Sequence, residues 1–259
     1  VFSEEIKSCL HDLKHVYHAT ALKASFEDEG INDEDLTDLV LLSGCVGLNV
    51  AVKIGGAEAN SDIVRCLRRG VTDMVAPLVE TTYAVSKFIQ AAKKQEEALR
   101  SDKIDLHVNL ETITASHNAL QIIDDHHTGL EGVVVGRSDL SKSMGLTKKD
   151  VDSKDVMDVV EGVFKTAKAH GLMTTMGGTI SVKSVPHICN LYERGLLDRF
   201  ETRAVVFNVK SSDRRLLEDG IKHALQYEQL LQGVRSTYHT ARSKELSDRI
   251  EAIQGRKNG

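Results

Sequence analysis

The chain has 259 residues, 41% hydrophobic and 27% charged, an ordinary globular balance with enough length to bury a large core. Its formal net charge of −5, with no basic block, argues against a phosphate-backbone binder, so no nucleic-acid partner is expected. No apolar run is long enough to cross a bilayer as a helix, which predicts no membrane partner.

The elements read in chain order as follows. An amphipathic helix spans 3–19, and a short strand at 22–26 ends in the acidic turn Glu27-Asp28-Glu29-Gly30. A helix at 33–43 is followed by a strand at 49–54 that ends in Gly55-Gly56. A helix at 59–69 stops at Gly70, as a left-handed cap would stop it. The next strand is 72–79, with Pro77 near its end, and a helix with a charged outer face covers 83–99. Strand 104–110, helix 114–127 and strand 131–136 follow. Helix 154–170 stops at Gly171, strand 172–176 leads into Gly177-Gly178, and helix 183–194 ends at Gly195. Strand 202–208 and helices near 212–231 and 234–253 complete the chain.

Strand and helix alternate throughout, and the strands are nearly all apolar, the pattern of a parallel sheet buried on both faces. With no linker-like stretch, residues 1–259 read as one domain, a TIM-type (β/α)8 barrel with extra C-terminal helices. Only seven strands are evident, so the eighth is irregular, disguised or missing, and 11–21 is the place where an element is most easily misread. A doubly wound open sheet would need a glycine-rich phosphate loop after its first strand. The acidic turn at 27–29 would instead repel a pyrophosphate.

Two acidic stretches carry the chemistry: Asn109-Leu110-Glu111-Thr112 and Gly136-Arg137-Ser138-Asp139-Leu140-Ser141. Each closes a β-branched run, one βα unit apart, which puts Glu111 and Asp139 at neighbouring strand ends on the active-site face of a barrel. Either carboxylate alone suits a helix cap; their shared location favours a site. Two carboxylates with open water positions suit Mg²⁺ or Mn²⁺. Lys53, at another strand end, can hold a substrate carboxylate, or form a Schiff base if its pKa is lowered. Arg137 can clamp a second acidic group, and backbone amides around Ser138 can meet an oxyanion. Glu27 or Glu29 can serve as a general base. Gly177-Gly178-Thr179 and Asn208 also end strands, and Asn208 is a candidate for hydrogen bonding to substrate. Eleven histidines are present, mostly in helices, and none has the pattern of a His metal site. His107, inside a strand, can point either way.

Cys9, Cys45, Cys66 and Cys189 are scattered, which suits a reducing cytoplasm. Cys45 and Cys66 read as small core residues. The chain starts at Val1, without an initiator Met, so a few residues are expected to be missing or trimmed, and no signal segment is evident.

Lys53-Ile54-Gly55-Gly56, the run from Gly70 to Glu80 through Pro77, Asn109-Leu110-Glu111-Thr112 and the run Val135 to Ser141, in this order, resemble the HpcH/HpaI aldolase and citrate lyase β-subunit family. That family belongs to the phosphoenolpyruvate/pyruvate-binding barrels, and the resemblance covers roughly 22–210. It implies a divalent-metal-dependent carbon–carbon lyase. Glu111 and Asp139 would hold the metal, and a 2-oxo acid such as pyruvate, or a related acyl substrate, would chelate it. The amides around Ser138 and Asp139 would hold the substrate carboxylate. The metal would stabilise an enolate as a C–C bond breaks or forms. It also implies a homo-oligomer, with helix 234–253 packing on a neighbouring subunit. The chain departs from the family in having Lys53 where an arginine is usual. It also has Glu27-Asp28-Glu29-Gly30 where the aldolase branch has a Glu-His pair, which would make the family's first strand the missing one. These departures point to a divergent branch. A Schiff-base aldolase using Lys53 and a non-catalytic metabolite-binding barrel are the competing readings.

Overall fold

Eight strands close into a barrel in chain order: β1 (Ala19–Ser25), β2 (Asn49–Lys53), β3 (Asp73–Ala76), β4 (Asp105–Asn109), β5 (Gly132–Gly136), β6 (Met173–Gly177), β7 (Arg199–Glu201) and β8 (Val205–Asn208). The structure is a computed structural model and describes residues 2–258. Around the barrel lie α1 (Glu4–His15), α2 (Phe26–Glu29), α3 (Asp33–Val46), α4 (Asn60–Arg68), α5 (Thr82–Leu99), α6 (Ile113–His126), α7 (Arg137–Ser143), α8 (Lys154–Ala169), α9 (Val185–Glu193) and α10 (Arg214–Asn258). No helix among the described residues is long and apolar enough to cross a membrane.

Strands β1 to β7 run parallel, and β8 runs antiparallel to both β7 and β1. The expected single strand 202–208 is therefore a hairpin turn followed by a returning strand. Thr202 closes the turn, its N–H donating to the Val205 carbonyl at 2.9 Å and its Oγ1 accepting from Val205 N–H at 3.2 Å. The undetected eighth element is β7, three residues with a charge at each end, too short to carry a two-residue period. The region 11–21 also differs from expectation, since α1 stops at His15 and β1 already begins at Ala19. The two expected C-terminal helices are one, α10, whose residues 236–251 are all exposed.

Alternate residues of each strand point into the barrel. Its middle is filled by small side chains, with Ala21, Ala51 and Val206 in mutual contact. The lower end, at the strand N-termini, holds a polar network. Arg199 donates to Asp73 Oδ1 through Nη1 and to Asn208 Oδ1 through Nε, both at 3.1 Å. His107 turns inward here, its Nε2 3.4 Å from Asp73 Oδ1. Burial alone would raise the Asp73 carboxyl, but His107, Thr72 and Arg199 outweigh it and hold it below its ordinary value.

Because β8 runs downward, Asn208 ends at this lower face beside Arg199. The expectation that Asn208 lines the mouth and bonds substrate is thus corrected. It came from treating the strand as parallel. Of the two cysteines read as core, Cys66 is buried and its thiol is pushed up to about 12 by burial, whereas Cys45 is exposed.

Candidate active site

The upper mouth of the barrel opens into a cavity of about 380 Å³ lined by Lys23, Ser25, Asp28, Glu29, Lys53, Asn109, Glu111, Gly136, Ser138, Asp139 and residues of the 178–180 and 201–203 loops. Glu111 and Asp139 both reach it because β4 and β5 are adjacent and parallel.

Local chemistry decides between a capping role and a site role for Glu111. The helix after it is capped by Thr112, whose Oγ1 accepts from Ala115 N–H at 3.0 Å and donates to Glu80 Oε1 at 2.6 Å. Glu111 is thereby released from the helix end. It is 2% exposed, and Oε1 accepts from Leu78 N–H at 3.1 Å while Oε2 accepts from Asn109 Nδ2 at 2.9 Å. Leu78 has φ of 50°, a left-handed backbone that a leucine rarely adopts, and this strained turn aims its amide at the carboxylate. Burial raises the Glu111 carboxyl above its ordinary value, against the opposing pull of Asn109, Lys53 and Leu78. Gly136 carries no side chain because a Cβ there would run into Glu111 Oε2. Asp139, in the first turn of α7, is partly exposed and takes Lys142 Nζ at 3.2 Å.

Lys53 points inward from the end of β2 and is ion-paired with Asp28. Burial pulls the ammonium down, but the Asp28 hydrogen bond and the charges of Glu111, Asp28 and Asp139 prevail and leave its pKa raised. The acidic turn is a single helical turn, α2, begun by Ser25 Oγ accepting from Asp28 N–H at 3.3 Å. Neighbours on a turn diverge by about 100°, so Asp28 and Glu29 line the cavity and Glu27 does not. Glu27 is exposed and lies beside Gly55, which corrects its candidacy as a base. Glu29 is half-buried, and burial raises its carboxyl despite Arg203, Arg235 and Lys23.

Arg137 departs furthest from expectation. It is wholly buried and turned away from the mouth. Its Nε donates to the Gly177 carbonyl at 3.1 Å, and Nη2 donates to the Gly178 carbonyl at 3.1 Å and to Ser184 Oγ at 3.2 Å. Nη1 pairs with Asp152. A guanidinium spent on these partners cannot clamp a substrate, so the expected substrate role of Arg137 is withdrawn. Its work is to pin the 177–178 loop against α7. Ser138 remains at the mouth, its Oγ 2.7 Å from Thr179 Oγ1. Gly178 has φ of +79°, and a Cβ there would strike the backbone nitrogens of Arg137 and Ser138, so only glycine permits this approach.

Lys23, paired with Glu201, and Asp28 join the mouth in addition to the residues expected from the sequence. The two-residue alternation of Ala21, Lys23 and Ser25 on β1 was the available signal for Lys23. Glu201 gave none, since β7 was not recognised as a strand.

Whether these residues suit a hard divalent cation can be tested on the donors present. Glu111 and Asp139 supply carboxylate oxygens, and the buried Oδ1 of Asn109 has no hydrogen-bond partner among the described residues. Among the described residues no cluster of three or more His, Cys, Asp or Glu has metal-binding geometry. An all-oxygen donor set of this kind would suit an oxygen-seeking ion that keeps waters or substrate in its shell, such as Mg²⁺ or Mn²⁺.

Residues 38–184 match the model of the HpcH/HpaI aldolase/citrate lyase family. No curated protein matches the chain. Among solved structures it is similar to an HpcH/HpaI aldolase from Desulfitobacterium hafniense DCB-2, at 14% identity over 78% of this chain and 82% of that one, with a TM-score of 0.62. An HpcH/HpaI aldolase/citrate lyase family protein from Burkholderia cenocepacia J2315 aligns at 17% identity over 88% of this chain and 90% of that one, with a TM-score of 0.61. Malate synthase from Haloferax volcanii, in a ternary complex with pyruvate and acetyl-CoA, aligns at 12% identity over 85% of this chain and 64% of that one, with a TM-score of 0.62. At such identities these structures share the fold.

Proposed function

The chain belongs to the HpcH/HpaI aldolase/citrate lyase family, and from this premise we propose that it is a divalent-metal-dependent carbon–carbon lyase acting on a 2-oxo acid or a related acyl substrate. One observation carries the reading. Glu111 is relieved of helix capping, buried, and turned into the cavity that also receives Asp139 and Lys53. With Lys142, Lys148 and Glu228, which also line it, the cavity has five cationic side chains against six carboxylates. A bound dication would reverse that balance and favour an acidic substrate. The pyruvate complex of the Haloferax volcanii malate synthase supports the same substrate class.

Glu111 and Asp139 would hold the metal, which supplies Lewis-acid stabilisation of an enolate. The chain's own groups do the rest. Lys53 neutralises the substrate carboxylate or the charge that develops beside it. In the Ser138–Thr179 hydroxyl pair one group donates to the other, so one hydroxyl proton is left for a substrate oxygen. Glu29, its carboxyl raised by burial, accepts or returns a proton at the cavity wall. A Schiff base at Lys53 needs a neutral amine, and its ion pair with Asp28 keeps the amine protonated, which argues against that route.

Dialysis against a chelator is expected to abolish pyruvate release from aldol-type 2-oxo acids, and Mg²⁺ or Mn²⁺ to restore it. Full activity in chelator rejects metal dependence. Lys53→Ala is expected to weaken oxalate or pyruvate binding roughly tenfold or more, the scale of one charge-assisted hydrogen bond. An unaltered dissociation constant by calorimetry removes that role.

A further inference from the structure

Asn109 holds an atom for which the described residues provide no partner. Its side chain projects from the inner face of β4 into the cavity, and the residue is 3% exposed. Nδ2 donates to Glu111 Oε2 at 2.9 Å, while Oδ1 accepts from no group among the described residues. A buried amide oxygen left without a partner carries the full desolvation penalty of its lost water contacts. Rotating the amide would not relieve it, because Oδ1 would then face the Glu111 carboxylate, acceptor against acceptor. The bond to Glu111 thus fixes which end of the amide is free.

Resting on the metal reading above, we infer that Asn109 Oδ1 is a third oxygen ligand of the cation beside Glu111 and Asp139. A neutral amide oxygen is an ordinary ligand for a hard divalent ion. The same side chain then orients Glu111 through Nδ2 and binds the ion through Oδ1.

Mn²⁺ binding to the full chain without substrate tests this, read by calorimetry and by EPR line broadening in ¹⁷O-water, which counts bound waters. The wild type is expected to keep at most three waters on an octahedral ion; four overturns the proposal. Asn109→Leu is expected to weaken Mn²⁺ binding roughly tenfold or more and to gain one water. Asn109→Asp retains an oxygen at the position and is expected to bind within that range, with the wild-type water count. Wild-type affinity in Asn109→Leu overturns the inference. So does equal weakening in both variants with no change in water count, because the amide would then only buttress Glu111. Glu111→Gln separates the two levels of the argument. If it abolishes Mn²⁺ binding while Asn109→Leu does not alter it, the inference alone fails. If Glu111→Gln also binds normally, the metal reading fails with it.

Discussion

Glu111→Gln is expected to lower metal-dependent turnover by at least about a thousandfold while the protein stays folded and, without metal, melts no lower than the wild type. The two halves of this result share one cause. Glu111 is buried and its carboxyl is raised by that burial. A carboxyl whose folded value lies above its unfolded value costs stability once the pH rises past the unfolded value, because ionisation is then harder in the fold. The neutral amide removes that cost, and its oxygen can still accept from Leu78 N–H. What disappears is the negative charge aimed into the cavity. Asp139→Asn is expected to lose turnover similarly, but with little change in melting, because Asp139 is partly exposed. Steady-state rates with added Mn²⁺ and thermal melts in chelator check both halves. Unchanged turnover in both variants rejects the site. A marked fall in the melting temperature of Glu111→Gln would make the residue structural instead.

Arg137→Met is expected to destabilise the fold by about 3–5 kcal/mol, the range for removing one partner of a buried charged pair. The substitution removes the cation paired with Asp152, leaving that carboxylate the Ser184 hydroxyl at 3.4 Å, and takes the guanidinium donor from the Gly177 and Gly178 carbonyls. Burial holds the guanidinium below its ordinary value and Asp152 opposes that pull only in part, so the guanidinium depends on its partner. Arg137→Lys is expected to recover little, since a single ammonium cannot reach the partners that the planar fork reaches. Ligand binding should weaken too, because the loop carrying Thr179 is held to α7 by this side chain. Chemical denaturation monitored by circular dichroism gives the stability change. A loss under about 1 kcal/mol, the scale of a single hydrogen bond, would reject the clamp.

Arg137 also illustrates why part of the site was illegible. An arginine between a strand-ending glycine and an aspartate looks like a substrate clamp when only its neighbours in the chain are considered. Its true partners, Gly177, Gly178, Asp152 and Ser184, come from later segments that only folding brings around it. Asn208 was misplaced for a related reason. A strand buried on both faces has the same apolar pattern whichever way it runs, and the pattern carries no sign of the hairpin at 202–204 that reverses it. Glu27 and Glu29 could not be told apart until the turn was known to be helical, since that geometry sends one to the cavity and the other to solvent.

The alternation of β-branched runs with amphipathic helices, punctuated by glycines, was sufficient to specify a barrel and to set Glu111 and Asp139 on neighbouring strand ends, because such periodicities are local. The direction of β8, the inward turn of Arg137, the pairings Lys53–Asp28 and Lys23–Glu201, and the unpartnered oxygen of Asn109 were decided by tertiary structure alone. Each depends on which side chains meet across the closed barrel, and those meetings join residues with no periodic relation along the chain.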